Sequence, residues 1–182
     1  MHLFSSNRIY LIGYMGSGKS TIGKQLAMQL GYLFLDTDEV IEQLAGKSVK
    51  SIFEDEGEKT FRRRESDLIA FVSELDKVVI ATGGGLPVHN NNLQVLLASG
   101  ITYFIDCPVE VLASRITSNA DRPLHSDHKT ADELAEKIKL RLDTRMKFYQ
   151  EAHCIIDGHK EPTLIIEQIL VSLRGEYGTI AP

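Results

Sequence analysis

The chain has 182 residues, of which 43% are hydrophobic and 25% are charged, and its formal net charge is −5. This length suits a single domain over residues 1–182, and the acidic balance disfavours non-specific binding of nucleic acid. No apolar run approaches the ~20 residues of a membrane span, and the first residues lack a signal-peptide pattern. We therefore expect a cytoplasmic protein without membrane or nucleic-acid partners.

The first predicted strand, Ile9–Ile12, leads directly into a glycine-rich loop. Residues Gly13–Ser20 fit the pattern G-x-x-x-x-G-K-[ST], which is typical of loops that bind nucleotide phosphates. The predicted helix Thr21–Leu30 follows, so its positive N-terminal end faces the bound anion. Lys19 is expected to reach the β- and γ-phosphates of ATP and Ser20 to bind Mg²⁺. The other expected nucleotide contacts are Gly13, Met15, Gly16, Ser17, Gly18 and Thr21.

The rest of the chain alternates between short apolar strands and helices, which predicts an α/β fold. Such alternation favours a parallel sheet covered by helices on both faces. Ligands bind these sheets beyond the carboxyl ends of the strands. The further predicted strands are Tyr32–Leu35, Val78–Ala81, Thr102–Ile105 and Cys154–Ile156, and the further helices are Thr37–Leu44, Val49–Asp55, Glu58–Leu75, Asn90–Ala98, Val109–Thr117, Ala131–Tyr149 and Pro162–Leu173.

Acidic residues and glycines follow the predicted strands at their carboxyl ends. Asp36 and Asp38 follow the second strand, and either Asp36 or Asp106 is placed to give the second contact to Mg²⁺. The alternative for this stretch is that Thr37 or Asp38 only caps the helix that follows. The triplet Gly83–Gly85 comes after the third strand. Because consecutive glycines lose much entropy on folding, the triplet predicts that another group approaches this backbone closely.

Two further polar features lie later in the chain. Arg62–Arg64 form a basic run early in a long predicted helix, and spacing alone does not decide which of the three turns inward. The polar segment of about 118–130 lies between two predicted helices and has no hydrophobic period. A loop this long inside a compact domain predicts a mobile lid. A metal site formed by His125 and His128 is an alternative use of this segment.

Several separated motifs together resemble those of the shikimate kinases. They are the loop Gly13–Ser20, Asp36-x-Asp38, Phe61-Arg62-x-x-Glu65, Gly83-Gly84-Gly85, Arg122-Pro123-Leu124, and Arg145 four residues before Tyr149. The resemblance implies a three-layer α/β/α P-loop kinase fold with a mostly five-stranded parallel sheet and a mobile lid. It also implies transfer of the γ-phosphoryl of ATP to the 3-hydroxyl of shikimate, on the way to chorismate and the aromatic amino acids.

The resemblance further implies a role for each motif residue. Lys19, Asp38 and Arg122 would be catalytic, with Arg122 arriving on the lid beside the nucleotide. Asp36 would reach Mg²⁺ through water. Substrate binding would involve helices within about 37–75: Asp38 would bind the shikimate hydroxyls, Arg62 and Arg145 would clamp its carboxylate, and Gly83, Gly84 and Gly85 would close over its ring. Arg63 and Arg64 would then face solvent.

Two other functions stay open at this point. One is another small-molecule kinase of the same fold, similar to a gluconate kinase, and the other is a non-catalytic ATP-binding regulator. The cysteines, Cys107 and Cys154, follow or lie in apolar strand-like runs, and we expect both to be core thiols. Because no large apolar stripe is evident, we also expect a monomer.

Overall fold

The computed structural model of the chain, which describes residues 7–118 and 131–175, contains a parallel five-stranded sheet. Its strands are β1 (Arg8–Ile12), β2 (Leu33–Asp36), β3 (Val78–Ala81), β4 (Ile101–Asp106) and β5 (Cys154–Asp157). Their order across the sheet is β2-β3-β1-β4-β5, and every neighbouring pair is parallel. The sequence-based strands are confirmed to within one residue at each end.

Seven helices connect and follow these strands in the described part of the chain. They are α1 (Lys19–Leu30), α2 (Thr37–Ala45), α3 (Val49–Val72), α4 (Asn92–Ser99), α5 (Val109–Ser118), α6 (Ala131–Tyr149) and α7 (Pro162–Leu173). Helix α1 packs against β2, β3 and α7, α4 packs against β4, and α5 packs against α6. Among these helices none is both long and apolar enough to cross a membrane.

The central strands are buried along almost their whole length, because helices cover both faces of the sheet. Every residue of β3 is buried, and so are the four inner residues of β4. The edge strands differ, since each has a neighbour on one side only. In β2, for example, the side chain of Leu33 is 62% exposed. The predicted α/β/α layering is therefore confirmed, with full coverage confined to the middle of the sheet.

Helix α3 is broken at Gly57, where the backbone leaves helical geometry with φ 81° and ψ 163°. Two separate helices, Val49–Asp55 and Glu58–Leu75, were predicted here, and the break lies between them. Glu56, just before the break, pairs with Lys47 at 2.8 Å and, across the break, with Arg64 at 2.8 Å. The expectation that Arg64 faces solvent is therefore wrong, because its guanidinium is paired with Glu56 and its Nε is buried.

The chain between β3 and α4 also differs from expectation. A short 3-10 helix, Leu86–Val88, was not predicted. Helix α4 begins at Asn92 rather than Asn90, because Asn90 and Asn91 have left-handed backbones with φ 52° and 60°. Asparagine tolerates this conformation better than most residues. The sequence pattern did not separate these two residues from the helix that follows them.

The parallel sheet brings the segments after β1, β2 and β3 to one edge. In the register, Ala81 pairs with both Leu11 and Asp36, so the ends of these three neighbouring strands are level. The glycine-rich loop, the start of α2 and the glycine triplet consequently lie side by side. This is the edge at which ligands bind in such folds.

Candidate active site

The loop Gly13–Ser20 connects the buried end of β1 to the first turn of α1. Gly18 is the N-cap residue of that helix and has a left-handed backbone, and the first turn of α1 contains no acidic side chain. No acidic side chain of α1 itself therefore competes with an anion for the positive end of this helix. The predicted contacts at Met15, Gly16, Ser17 and Thr21 lie in this same segment. This geometry suits a phosphate group.

The ammonium of Lys19 is folded against the backbone of its own loop. Its Nζ donates to the carbonyl of Gly13 at 3.0 Å and to that of Tyr14 at 2.8 Å, and it lies 3.4 Å from Ser17 Oγ. Lys19 is only 8% exposed. These acceptors are neutral, and a charged phosphate oxygen forms a stronger hydrogen bond with an ammonium. The side chain is thus positioned to exchange these contacts for contacts to an anion.

Ser20 and Asp36 meet at the base of the loop. The Ser20 hydroxyl donates to Asp36 Oδ2 at 2.5 Å, and Asp36 Oδ1 accepts from the backbone N–H of Asp38 at 3.0 Å. Asp36 is therefore the N-cap of α2. The alternative that Thr37 or Asp38 supplies this cap is wrong, because the side chain of Asp38 takes no part in it.

The carboxylate of Asp38 is buried and incompletely bonded. Its Oδ1 has no hydrogen-bond partner. Burial raises the pKa of Asp38 to about 6, and the negative charge of Asp36 adds to the increase, whereas Lys19 opposes it. An unpaired buried acceptor costs free energy, and a hydroxyl donor from a ligand would remove that cost. The arrangement leaves Asp38 available for substrate.

The side chain of Arg62 turns inward, as predicted. Its Nη1 donates to Glu65 at 2.9 Å, its Nη2 donates to Glu58 at 2.9 Å, and its guanidinium lies over the rings of Phe53 and Phe61. Although burial lowers the pKa of Arg62, its bonds to Glu65 and Glu58 raise it overall. The guanidinium is thus held in one orientation and stays charged.

Glu65 received no separate role in the sequence analysis, but it lies at the centre of the site. It is 1% exposed, and its Oε1 has no hydrogen-bond partner. Burial raises its pKa to about 7, against the opposing effect of Arg62. The free oxygens of Asp38 and Glu65 both face Gly83: a Cβ built there would come 2.5 Å from Asp38 Oδ1 and 3.2 Å from Glu65 Oε1.

The triplet Gly83–Gly85 is packed so closely that side chains would not fit. Gly83 N–H donates to Thr37 Oγ1 at 2.8 Å, which joins the triplet to the start of α2. A Cβ at Gly85 would lie 2.7 Å from Arg62 Nη1. The close approach predicted from the three glycines is therefore present. Thr37 had no sequence signal for this bond, because its partner is distant along the chain.

Arg145 reaches the triplet from α6. A Cβ at Gly84 would lie 3.4 Å from Arg145 Nη1. Tyr149, one turn further along α6, donates to the carbonyl of Gly84 at 2.5 Å, and the positive charge of Arg145 acts on its phenol. Burial raises the pKa of Tyr149 to about 12, so the phenol keeps its proton. Two guanidiniums thus lie beside adjacent glycines.

Other predicted residues lie elsewhere. Asp106 lies at the end of β4, opposite Asp157 of β5. Among the described residues its carboxylate makes no contact with Ser20, unlike that of Asp36. Cys107 is buried and Cys154 half-buried, and both are free thiols, as expected. Arg63 is exposed. Arg122, His125 and His128, with most of the proposed lid, fall outside the described residues.

The site contains the oxygen ligands that Mg²⁺ prefers but no complete cage. Within residues 7–118 and 131–175, no group of three His, Cys, Asp or Glu side chains is arranged to hold a metal ion. The Ser20 hydroxyl and Asp36 carboxylate, in contact with each other, offer hard oxygen ligands beside the phosphate loop. Mg²⁺ characteristically takes one or two protein ligands and completes its shell with water and phosphate. The residues present therefore fit this ion.

Comparison with known proteins gives a consistent family. The chain matches the shikimate kinase family over residues 15–174. It is 41% identical over 167 residues to a shikimate kinase from Microcystis aeruginosa, covering 91% of this chain and 85% of that protein. A crystal structure of shikimate kinase from Bacteroides thetaiotaomicron has a TM-score of 0.86 at 36% identity, covering 92% of this chain and 98% of that one. Shikimate kinase from Acinetobacter baumannii in complex with shikimate has a TM-score of 0.84 at 33% identity, covering 94% and 95%.

Proposed function

Because the chain belongs to the shikimate kinase family, we propose that the site described above binds ATP and shikimate side by side and transfers a phosphoryl group between them. The protein is an ATP-dependent kinase that phosphorylates shikimate in aromatic amino acid biosynthesis. The transfer goes from the γ-position of ATP to the 3-hydroxyl and gives shikimate 3-phosphate. Family membership over most of the chain argues against a gluconate kinase-like enzyme and a non-catalytic regulator.

One observation carries the assignment of the site. Two buried carboxylate oxygens without partners, on Asp38 and Glu65, pack against Gly83. The guanidiniums of Arg62 and Arg145 lie beside the next two glycines. A ligand that suits these four side chains brings hydroxyl donors to the carboxylates and an anionic group to the arginines. A small polyhydroxy acid has both.

The acid end of shikimate lies between Arg62 and Arg145 in this proposal. A guanidinium presents a planar fork of donors that matches a carboxylate, and it stays charged at every physiological pH. The bonds from Arg62 to Glu58 and Glu65 fix its orientation before substrate arrives. Binding therefore loses little side-chain entropy at this residue.

The hydroxyl end lies on Asp38, which orients the attacking oxygen. Phosphoryl transfer proceeds through a loose transition state, so correct positioning contributes more than a strong base does. Asp38 accepts a hydrogen bond from the 3-hydroxyl and receives its proton late in the transfer. Its raised pKa of about 6 makes the carboxylate a better proton acceptor than an exposed aspartate.

The nucleotide lies on the phosphate loop, where Lys19 turns from the carbonyls of Gly13 and Tyr14 to the β- and γ-phosphates. Ser20 and, through water, Asp36 would hold Mg²⁺, which when bound neutralises part of the phosphate charge. Arg122 would approach the transferring group on the lid, a role that rests on the family resemblance. The monomeric state, the cytoplasmic location and the single-domain organisation stay predictions.

The test is an ADP-release assay with a panel of shikimate, gluconate and nucleosides as acceptors. We expect turnover with shikimate and none with gluconate or the nucleosides. The variant Lys19→Ala should lower kcat by orders of magnitude while the far-ultraviolet circular dichroism stays unchanged. Turnover of another acceptor in preference to shikimate, or full activity in a folded Lys19→Ala protein, would contradict the proposal.

A further inference from the structure

The phosphate loop and the proposed carboxylate clamp touch each other through one aromatic ring. The guanidinium carbon of Arg145 lies 5.3 Å from the centroid of the Tyr14 ring. Tyr14 is the second residue of the phosphate loop and is 4% exposed. The face of an aromatic ring attracts a cation at this distance. The orientation of Arg145 therefore depends on a residue of the nucleotide site.

Backbone packing connects the same two sites. A Cβ at Gly84 would lie 3.2 Å from the carbonyl oxygen of Gly13 and 3.3 Å from the backbone nitrogen of Met15. Tyr149, one turn from Arg145 on α6, donates to the carbonyl of Gly84. The loop, the triplet and Arg145 consequently form one packed group with Tyr14 inside it.

Nucleotide binding alters the contacts of the backbone directly beside this ring. Lys19 donates to the carbonyl of Tyr14 at 2.8 Å and to that of Gly13 at 3.0 Å. If the ammonium turns to phosphate, both carbonyls lose this charged donor, while the loop N–H groups gain the anion. A change that begins at the nucleotide therefore acts on the residue whose ring supports Arg145.

We propose that Tyr14 is a positioning residue that couples the two ligand sites: an ordered, phosphate-bound loop fixes its ring, and the ring fixes Arg145 for the acid group of the acceptor. The inference rests on the proposed function, because it needs Arg145 to bind that group. Coupling of this kind is reciprocal, so each ligand tightens the binding of the other by the same factor.

The experiment is calorimetric titration of shikimate into the full chain, with and without a saturating, non-hydrolysable ATP analogue and Mg²⁺. The dissociation constant of shikimate without nucleotide, divided by the one with nucleotide, measures the coupling.

Tyr14→Phe keeps the ring and should keep the wild-type ratio. Tyr14→Leu keeps apolar bulk but loses the ring, and its ratio should fall by roughly two- to tenfold, the range for one cation–π contact. Tyr32→Leu, a half-buried tyrosine outside the site, is the matched control and should keep the wild-type ratio.

Arg145→Lys provides a second variant if Tyr14→Leu does not fold, because an ammonium keeps the charge but loses the planar stack. Its ratio should also fall. A wild-type ratio of one, or an unchanged ratio in Tyr14→Leu, would overturn the coupling while leaving shikimate phosphorylation intact. Loss of shikimate turnover by the wild-type protein itself would instead refute the proposed function.

Discussion

Asp38 and Glu65 make the site sensitive to pH in a defined direction. Burial raises the pKa of Asp38 to about 6 and that of Glu65 to about 7. Asp38 must be ionised to receive the proton of the substrate hydroxyl, and kcat/KM reports ionisation of the enzyme before shikimate binds. At saturating ATP, we predict that kcat/KM for shikimate falls as pH decreases from about 8 to about 5. A value that rises over this interval would contradict the role of Asp38.

The same two carboxyl groups predict the opposite trend for the stability of the ligand-free protein. Their pKa values are higher in the folded state than in the unfolded chain, so the folded state binds more protons at intermediate pH. Stability then decreases as pH rises through this range and levels off above about 7. Urea unfolding between about pH 5 and pH 8 measures this, and Glu65→Gln should flatten the upper part of the trend because it removes one of the two ionisations.

Arg62 and Arg63 are neighbours with opposite surroundings, which gives a matched pair of variants. Arg62 is bound to Glu58 and Glu65 beside Gly85, whereas Arg63 is exposed. Arg62→Lys should weaken shikimate binding by roughly 30-fold or more, because an ammonium cannot reproduce the fork at a desolvated contact. Arg63→Ala should bind shikimate as the wild type does.

A sharper version of this test uses a shikimate analogue that has a hydroxymethyl group in place of the carboxylate. Wild type should bind the analogue poorly, and the alanine variants of Arg62 and Arg145 should discriminate less between the two compounds. Calorimetry or fluorescence titration supplies the affinities. If Arg63→Ala is the damaging change, the clamp is wrongly placed.

Residues with a local signature could be predicted, and those defined by distant neighbours could not. Lys19 and Ser20 belong to a contiguous motif, and Asp36 lies where an apolar run ends. Thr37, Tyr14 and Tyr149 act through partners that only the tertiary fold brings near, namely Gly83, Arg145 and Gly84. The pKa shifts of Asp38 and Glu65 likewise arise from burial, which no short sequence pattern records.

At the scale of elements, the broken helix α3 carries part of the proposed substrate site. The break at Gly57 sets the direction of the segment that carries Arg62, and the ion pair between Glu56 and Arg64 joins the two halves of the helix. Strand positions were predictable because buried strands are continuously apolar. The ion pair of Arg64 was not predictable, because its partner, Glu56, lies on the far side of the break.

We predict that Gly57→Ala raises the KM for shikimate more than the KM for ATP. The backbone at φ 81° and ψ 163° is nearly restricted to glycine, and forcing alanine into it costs about 1–3 kcal/mol. No atom lies within 4 Å of the added Cβ, so the effect comes from the backbone alone. Steady-state kinetics with each substrate varied in turn measures the two constants.

The matched control for Gly57→Ala is Gly31→Ala, at the C-cap of α1. Gly31 also has a positive φ, 67°, and open space around the added Cβ, but it lies at the end of α1 away from the phosphate loop. Gly31→Ala should lower the melting temperature without changing the KM for shikimate or the KM for ATP. Equal kinetic effects in both variants would mean that the break in α3 has no specific link to the shikimate site.

At the scale of the whole molecule, the two ends of the sheet have different tasks. The proposed ligand site lies at the carboxyl ends of β1, β2 and β3, and a structural contact lies at the amino end of β1. There Arg8 donates to the carbonyl of Leu75 at 2.8 Å, to that of Ser99 at 3.1 Å, and to that of Ser73. Ser73 and Leu75 follow α3 and Ser99 is the last residue of α4, so one guanidinium satisfies acceptors at the ends of two helices.

We predict that Arg8→Met lowers stability and leaves catalysis unchanged. Methionine keeps the apolar stem but leaves several half-buried carbonyls without a charged donor, which costs about 1–3 kcal/mol. For a chain of this length each kcal/mol corresponds to roughly 2–4 °C in melting temperature. Lys24→Met is the control, because Lys24 makes an exposed ion pair with Glu39 at 3.2 Å and lies 5.6 Å from the centroid of the Phe34 ring, and exposed contacts of this kind contribute little. Calorimetry and steady-state kinetics on both variants separate the two properties. Since Arg8 lies at the opposite end of β1 from Lys19 and Asp38, an altered KM for shikimate in a folded Arg8→Met protein would show that the two ends are energetically connected.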